Sequence, residues 1–207
     1  MVITYYGGQC FKISSGSTVI AFNPPGKKAD SGVKFGADIT LVTLWHQDFN
    51  GVERTFYNNK QSFVIDGPGE YEVGDVTVKG WSIPIKYKEN DFYNTVYQVD
   101  LEGINIIFTG VINSIDNIDS SILSDFGDVD ILFIPIGGGD VLEVPEAYRL
   151  AVKLESKLII PMHYNQSSLS SFLKEAGVEN MQSVDKYTIR KKELNEKSGE
   201  VVVFGNV

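Results

Sequence analysis

Cysteine and histidine are scarce in this chain, which has one cysteine and two histidines among 207 residues. A single cysteine excludes an internal disulfide and a thiolate-rich metal cluster. Cys10 lies in a strand-like segment with no histidine near it in the sequence, so we expect a buried structural thiol and not a nucleophile. The scarcity of histidine limits the metal and acid–base chemistry that is open to the protein.

Positive charge is also scarce. The net charge is -9, and the only block of basic residues is Arg190–Lys192. Broad electrostatic attraction to nucleic acid or to an anionic membrane is therefore not expected. No apolar run approaches the ~18 residues that a membrane-spanning helix needs. The first residues, Met1–Tyr6, read as a strand and not as a signal peptide, so we expect a cytoplasmic protein.

The hydrophobic content of 43% is ample for a sizeable core. The sequence shows no linker, no low-complexity tract and no repeat of fixed short period. We therefore predict a single domain over residues 1–207.

The first half of the chain reads as short strands separated by Gly, Asn and Pro. Hairpin turns are expected at Ser14–Ser17 and Leu101–Ile104, where small residues or glycine separate alternating apolar runs. This half therefore predicts antiparallel sheet. The expected strands are residues 2–6, 10–14, 18–22, 38–43, 62–65, 70–73, 76–83, 94–100 and 104–109.

Beyond residue 115 the hydrophobic period changes and helices are expected. Strands mixed with helices need both faces of each sheet covered, and two sheets packed back to back with helices outside satisfy this need. The polar stretch Lys191–Gly199 is expected to be a loop. The expected helices are 118–125, 145–155 and a third from Ser167 or Ser168 to Ala176, and the expected strands are 129–135, 157–161, 184–190 and 200–204.

Both histidines follow apolar runs of β type, where α/β proteins deliver catalytic side chains from strand ends into loops. His46 lies two residues before Asp48, and His163 lies far downstream. Two histidines and one carboxylate are a recognised set for one divalent metal with open coordination positions. The alternative is that the His46–Asp48 pair makes only a local hydrogen bond, which is the more common role of such a pair in a loop.

A family pattern is carried by several segments that occur in order over nearly the whole chain. On them the sequence resembles the metallo-β-lactamase fold superfamily, in particular its small prokaryotic members with a Gly-Pro-Gly-Glu-Tyr-Glu signature. The resemblance implies an α/β (α+β) fold of four layers, an αββα sandwich, with a cleft that holds one or two metal ions. The segments are Tyr6–Ile13, Asn23-Pro24, residues 37–50, Asp66–Gly74, Asn94–Tyr97, Phe108–Gly110, Ile134–Asp140 and Ile160–Tyr164.

The chain departs from the family at the metal ligands that the resemblance implies. The first and last histidines of the His-x-His-x-Asp-His motif fall on Leu44 and Phe49, while His46 and Asp48 match. A bridging aspartate falls on Val111, and His163 matches the late histidine. A dinuclear site of this family needs four or more imidazoles, so two histidines exclude it in its usual form.

Two functions remain open from the sequence. The favoured hypothesis is a diverged or non-catalytic protein with no cofactor, whose cleft binds a small molecule or a protein partner. The alternative is a hydrolase of an ester or phosphoester with one divalent metal, either Zn, Mn or Fe. In that alternative His46, Asp48 and His163 are the ligands and Asp48 is also the candidate catalytic base. Asp119 and Asp140 are further candidates for polar residues of the cleft.

Overall fold

Segments with apolar residues at strand spacing form two β-sheets. The computed structural model describes residues 1–27, 32–178 and 181–205. In these ranges the strands are β1 (Val2–Tyr5), β2 (Phe11–Ser15), β3 (Thr18–Phe22), β4 (Ile39–Leu41), β5 (Phe63–Ile65), β6 (Gly69–Val73), β7 (Val76–Tyr87), β8 (Asn90–Leu101), β9 (Ile104–Phe108), β10 (Ile131–Pro135), β11 (Leu158–Met162), β12 (Lys186–Thr188) and β13 (Glu200–Val201). The helices are α1 (Ser120–Asp125), α2 (Val144–Lys153), α3 (Gln166–Glu175) and α4 (Lys191–Leu194).

The six-stranded sheet has the order β12-β1-β2-β3-β4-β5. Its first four strands pair antiparallel, and β3, β4 and β5 pair parallel. The predicted turn at Ser14–Ser17 is confirmed as the β2–β3 hairpin, since Ser15 pairs with Thr18. Because β3, β4 and β5 run parallel, their carboxyl ends and the loops that follow them lie at one edge of the sheet.

The seven-stranded sheet has the order β13-β11-β10-β9-β8-β7-β6. Strands β9, β10, β11 and β13 are parallel, and β6 to β9 form an antiparallel meander. The second predicted turn is also confirmed, because Leu101 pairs with Ile104 across a two-residue loop. Buried parallel strands of continuous apolar sequence, such as Ile131–Pro135, lie in the centre.

One hydrophobic core lies between the two sheets. It joins inward-facing residues of both, and aromatic rings meet across the interface, such as Phe22 stacked on Phe108 at 4.4 Å and Phe11 against Phe133 at 4.8 Å. The thiol of Cys10 is 2% exposed, and burial raises its pKa well above the ordinary value. Cys10 is therefore buried as expected and is a poor nucleophile.

A second core lies on the other face of the seven-stranded sheet, beneath α2 and α3. On the outer face of the six-stranded sheet, Thr40 of β4 bonds to Thr55 in a 3-10 turn and to Ser62, and all three side chains are buried. These layers confirm the predicted mixed α/β sandwich.

The β7–β8 hairpin is longer than the sequence indicated. The prediction ended β7 at residue 83 and began β8 at residue 94, whereas twelve pairs extend the hairpin from Val76–Leu101 to Tyr87–Asn90. Pro84 is an unusual residue within a strand because proline removes a ladder hydrogen bond. β6 pairs with β7 only as far as Gly80, so Pro84 lies where β7 has a neighbour on one side only.

Two predictions near the end of the chain need correction. The expected loop 191–199 contains the short helix α4, and at its start the Glu193 carboxylate accepts a hydrogen bond from the backbone N–H of Arg190. The expected terminal strands 184–190 and 200–204 are reduced to Lys186–Thr188 and Glu200–Val201, with an isolated bridge between Val184 and Phe204. Neither correction affects the loops that follow β4, β9 and β11.

None of the helices in the described part of the chain is both long and apolar enough to cross a bilayer.

Tyr97 provides a test of how the two sheets are joined. Its buried hydroxyl on β8 donates toward the carbonyl oxygens of Val42 (3.0 Å) and Ile65 (3.2 Å) at the ends of β4 and β5. We expect Tyr97→Phe to lower the free energy of unfolding by about 1–2 kcal/mol, because these buried carbonyls lose their donor. Urea unfolding measures the change. Tyr71→Phe, which removes a more exposed hydroxyl bound to Gly67 O, is the control. Equal effects of the two substitutions would contradict the assignment.

Candidate functional site

The candidate residues meet at one edge of the sandwich. His46 and Asp48 lie in the loop after β4, Val111 follows β9, and His163 directly follows β11. The rings of Phe49 and His163 lie 6.3 Å apart, so the loops after β4 and β11 are in contact. Gly110 lies against the loop after β4, and an added Cβ there would be 2.4 Å from Thr43 Oγ1, so only glycine fits. The topology therefore gathers the residues that the sequence singled out.

The three positions that depart from the family motif are apolar and buried. Leu44 is 2% exposed, Phe49 is 4% exposed and Val111 is 0% exposed, and all three belong to one hydrophobic cluster. The loop turns tightly here, because the backbone N–H groups of Phe49 and Asn50 both donate to the carbonyl of His46. The turn directs Phe49 into the cluster, so a continuous apolar surface lines this part of the edge.

Asp48 is held by a tyrosine and a lysine of the β7–β8 hairpin. Its Oδ2 accepts hydrogen bonds from Tyr87 Oη at 2.7 Å and from Lys88 Nζ at 2.6 Å. Burial raises the pKa of Asp48, but the hydrogen bonds from Lys88 and Tyr87 outweigh burial and the pKa lies below its ordinary value. Burial, and next the bond to Asp48, raise the pKa of Tyr87. Asp48 is thus a carboxylate with its charge already balanced.

His46 lies among aromatic rings. The centroids of Tyr87, Phe92 and Phe49 lie 5.1, 5.9 and 6.4 Å from that of His46. Its Nδ1 accepts a hydrogen bond from the backbone N–H of Asp48 at 3.3 Å and lies 3.4 Å from Asp48 Oδ2. The local hydrogen bond that the sequence left open as an alternative is therefore present.

His163 is held by its backbone and by its ring. Its N–H donates to the carbonyl of Gly8, and its φ of 50° is in the left-handed region that few non-glycine residues adopt. Nδ1 of the ring lies 3.1 Å from Nε2 of Gln9. Because Gln9 Oε1 accepts from Asn23, Gln9 Nε2 must donate to His163 Nδ1, which leaves the proton of a neutral ring on Nε2.

Burial lowers the pKa of His163, and the negative charges of Asp140 and Asp48 offset this only in part. The positive charge of Lys88 lowers it further. His163 is therefore a neutral imidazole at neutral pH.

Buried amide side chains join the loops of the site. Asn23 donates to Gln9 Oε1 and Thr43 Oγ1 and accepts from the backbone N–H of Thr43. Asn94 donates to the carbonyl of Thr109 and accepts from the N–H of Val111. The network consists of neutral groups that satisfy one another.

The arrangement does not fit a bound divalent ion. Within the described ranges, no three His, Cys, Asp or Glu side chains are grouped as a metal ion would need. Because Nδ1 of His163 accepts from the Gln9 amide, the proton of the neutral ring is on Nε2, and neither ring nitrogen offers a lone pair to an ion. Oδ2 of Asp48 is occupied by the ammonium of Lys88. Apolar side chains, those of Leu44, Phe49 and Val111, occupy the other motif positions. The assignment of His46, Asp48 and His163 as metal ligands stays a prediction.

The two other acidic candidates have structural partners. Asp119 is the N-cap of α1 and accepts from the backbone and hydroxyl of Ser121, and the hydrogen bonds from Ser121 lower its pKa. Asp140 accepts a hydrogen bond from the backbone N–H of Lys88 at 2.9 Å. Asp140 thus borders the site, while Asp119 caps a helix.

Sequence reasoning missed two kinds of residue at the site. Gln9, Asn23 and Asn94 lie in segments that carry the family resemblance, so their positions were a usable signal. Tyr87 and Lys88 lie in a segment for which no strand was predicted, and nothing in the sequence linked them to Asp48. Only the pairing of the hairpin brings them there.

Comparison with known proteins supports the fold described above. A family model described as a beta-lactamase superfamily domain matches residues 2–163. A protein of Listeria innocua named as a metal-dependent hydrolase is 23% identical over 197 residues, which cover 80% of this chain and 86% of that protein.

Solved structures share the fold over nearly the whole chain. A Thermotoga maritima protein described as a Zn-dependent hydrolase of the metallo-β-lactamase superfamily has a TM-score of 0.76 and 25% identity, with 98% of this chain and 97% of that chain covered. A Parabacteroides distasonis protein described as a metal-dependent hydrolase has a TM-score of 0.69 and 16% identity, with 99% and 93% covered.

The buried His163 predicts a pH dependence of stability. Since its pKa is lower in the folded state than the ordinary 6.5, the unfolded chain takes up a proton first as the pH falls. The contribution of His163 to the free energy of unfolding is therefore complete above about pH 7. It is lost as the pH falls from 6.5 through the pKa of His163 in the folded protein.

We expect the free energy of unfolding to fall less between about pH 7.5 and about pH 5.5 in His163→Asn than in the wild type. Asparagine tolerates a positive φ and keeps an acceptor for Gln9. Urea titrations at the two pH values measure both slopes. Equal slopes would show that His163 is not the responsible group.

Proposed function

The chain belongs to the beta-lactamase superfamily domain family, and we propose that it is a member with a degenerate metal site whose cleft binds a ligand without hydrolysing it. Relatives of the chain are named metal-dependent hydrolases, so hydrolysis at a metal site is the activity against which this proposal is set.

One observation carries the proposal. Leu44, Phe49 and Val111 stand where the family resemblance implies metal ligands, and they pack together in one buried hydrophobic cluster. A divalent ion beside this surface would lose hydration without gaining compensating charge, which costs several kcal/mol. Apolar residues at three motif positions that all belong to one buried cluster support the proposal that the metal site has become part of the hydrophobic core.

The remaining polar groups are poorly suited to catalysis. The catalytic candidate Asp48 has a lowered pKa, and a carboxylate of low pKa is a weak general base at neutral pH. Oδ2 of Asp48 already accepts hydrogen bonds from Tyr87 and Lys88. The Nδ1 lone pair of His163 is also in use, since it accepts a hydrogen bond from Gln9.

A cavity of about 620 Å³ beside the site supports the binding role, because small-molecule sites commonly span about 300–1,000 Å³. Phe92 lines this cavity and its ring also contacts His46, so cavity and site share a wall. Apolar and amide groups are mixed in the lining, which suits a small amphipathic molecule. The lining residues are Pro84, Ile85, Lys86, Asp91, Phe92, Tyr93, Asn113, Ser114 and Asn117.

Metal content tests the degenerate site. We expect protein expressed in medium supplemented with zinc, manganese and iron to carry far less than about one metal equivalent. The amount should be the same in a His46→Ala/His163→Asn variant. Mass spectrometry of the purified protein measures the content, and the Thermotoga maritima relative, prepared in parallel, controls for metal loading.

The opposite result would favour the alternative function. His46 Nδ1 and Asp48 Oδ2 are 3.4 Å apart, so two of the three candidate ligands are already adjacent. About one equivalent of metal, lost in the double variant, would favour a mononuclear hydrolase of an ester or phosphoester. Lys88 and Gln9 would then have to release their partners.

Ligand binding tests the cavity. Tyr93 lines it and is 73% exposed, so Tyr93→Ala removes part of a wall with little loss of packing. In a fragment screen by ligand-observed NMR, we expect compounds that bind the wild type to bind Tyr93→Ala at least about fivefold more weakly. Tyr57→Ala, at a tyrosine that is 63% exposed and is not part of this cavity, should leave binding unchanged. Equal binding by all three proteins would argue against this cavity.

A further inference from the structure

The tip of the β7–β8 hairpin has an unfavourable backbone conformation. Tyr87 pairs with Asn90, so the connecting loop is only Lys88-Glu89. Both residues have positive φ, 48° for Lys88 and 64° for Glu89. A two-residue turn of this kind favours Asn-Gly, because side chains at positive φ are strained. Strain of this kind persists where the surrounding structure holds it, and it often marks a functional position.

The strained tip places a cation on Asp48. Lys88 Nζ lies 2.6 Å from Asp48 Oδ2, and Tyr87 Oη donates to the same oxygen at 2.7 Å. The backbone N–H of Lys88 donates to Asp140 Oδ1, which fixes the tip against the loop after β10. Lys88 is therefore positioned from both its backbone and its side chain.

The contact between Asp48 and Lys88 is electrically neutral without an additional ion. Asp48 has one negative charge and meets one ammonium, and the position of the family's bridging carboxylate is the apolar Val111. A divalent ion would add two positive charges that no group within this contact balances. Electrostatic repulsion from Lys88 would oppose the approach of such an ion to Asp48.

We infer that the ammonium of Lys88 is a built-in cation of the cleft, which neutralises Asp48 in the way that a metal ion would and closes that carboxylate to divalent ions. The inference rests on the proposed function in one respect, because both require the wild-type site to hold no metal. The inference names Lys88 as the residue that keeps divalent ions from Asp48, and the β7–β8 hairpin as the element that positions Lys88.

The lysine side chain is 51% exposed, so a substitution there need not disturb the core. Lys88→Met removes the ammonium and keeps the aliphatic stem. Lys79→Met is the matched control, because Lys79 lies on the same hairpin and pairs with Glu70 at the surface, where ion pairs contribute little. Lys88→Met/Asp48→Asn removes both charges of the pair.

Thermal unfolding is measured for each protein with EDTA and with zinc chloride alone. In EDTA we expect Lys88→Met to melt about 3 °C or more below the wild type, and the double variant to recover most of this loss. In about 1 mM zinc, the melting temperature of Lys88→Met should rise by about 2 °C, whereas the wild type, Lys79→Met and the double variant should not respond.

A second variant separates the charge from the strain. Lys88→Asn/Glu89→Gly supplies the favoured turn sequence without an ammonium, so the hairpin should form well. A zinc response in this variant supports the inference even if Lys88→Met fails to fold. The absence of a zinc response, or a wild type that responds as strongly as the variants, overturns it.

Failure of the inference can be told apart from failure of the proposed function. Stoichiometric metal in the purified wild type contradicts both. A metal-free wild type together with variants that neither lose stability nor respond to zinc contradicts only the role of Lys88.

Discussion

Hydrogen bonds of buried amide side chains hold the loops at the functional edge, and the rest of the site depends on them. Asn23, Gln9 and Asn94 are 1%, 2% and 0% exposed, and each joins parts of the chain that are far apart in sequence. A buried polar group that loses its partner costs about 1–3 kcal/mol. One loop therefore cannot rearrange without leaving a buried donor or acceptor in another unpaired.

The hydrogen-bond network at this edge consists of uncharged groups. Amides and hydroxyls pair with one another, and His163 enters the network as an acceptor of the Gln9 N–H. A network that is complete needs no ion to satisfy it. Asp48, outside this network, carries a negative charge that pairs with the ammonium of Lys88. Neutral amide and hydroxyl groups thus hold the loops at this edge of the sandwich in place.

Much of the fold was accessible from the sequence, because alternating apolar residues and turn residues report strand faces and hairpins directly. The clustering of His46 and His163 at one edge was accessible too, since each follows a strand. The Asp48–Lys88 pair was not, because it depends on a hairpin whose polar end gives no strand signal. The hydrogen-bond partners of Asp48 and His163 depend on three-dimensional packing. The spacing of residues in the sequence therefore does not predict them.

The long hairpin also determines how this chain can tolerate insertions. Its register is continuous over twelve residue pairs and is set by a two-residue loop. Side chains alternate between the two faces of a strand, so one inserted or deleted residue would turn every following side chain to the opposite face. Trp81 and Tyr87, on one face of β7, would then exchange sides with their neighbours. Length variation among relatives of this chain should therefore avoid the hairpin or occur there in steps of two residues.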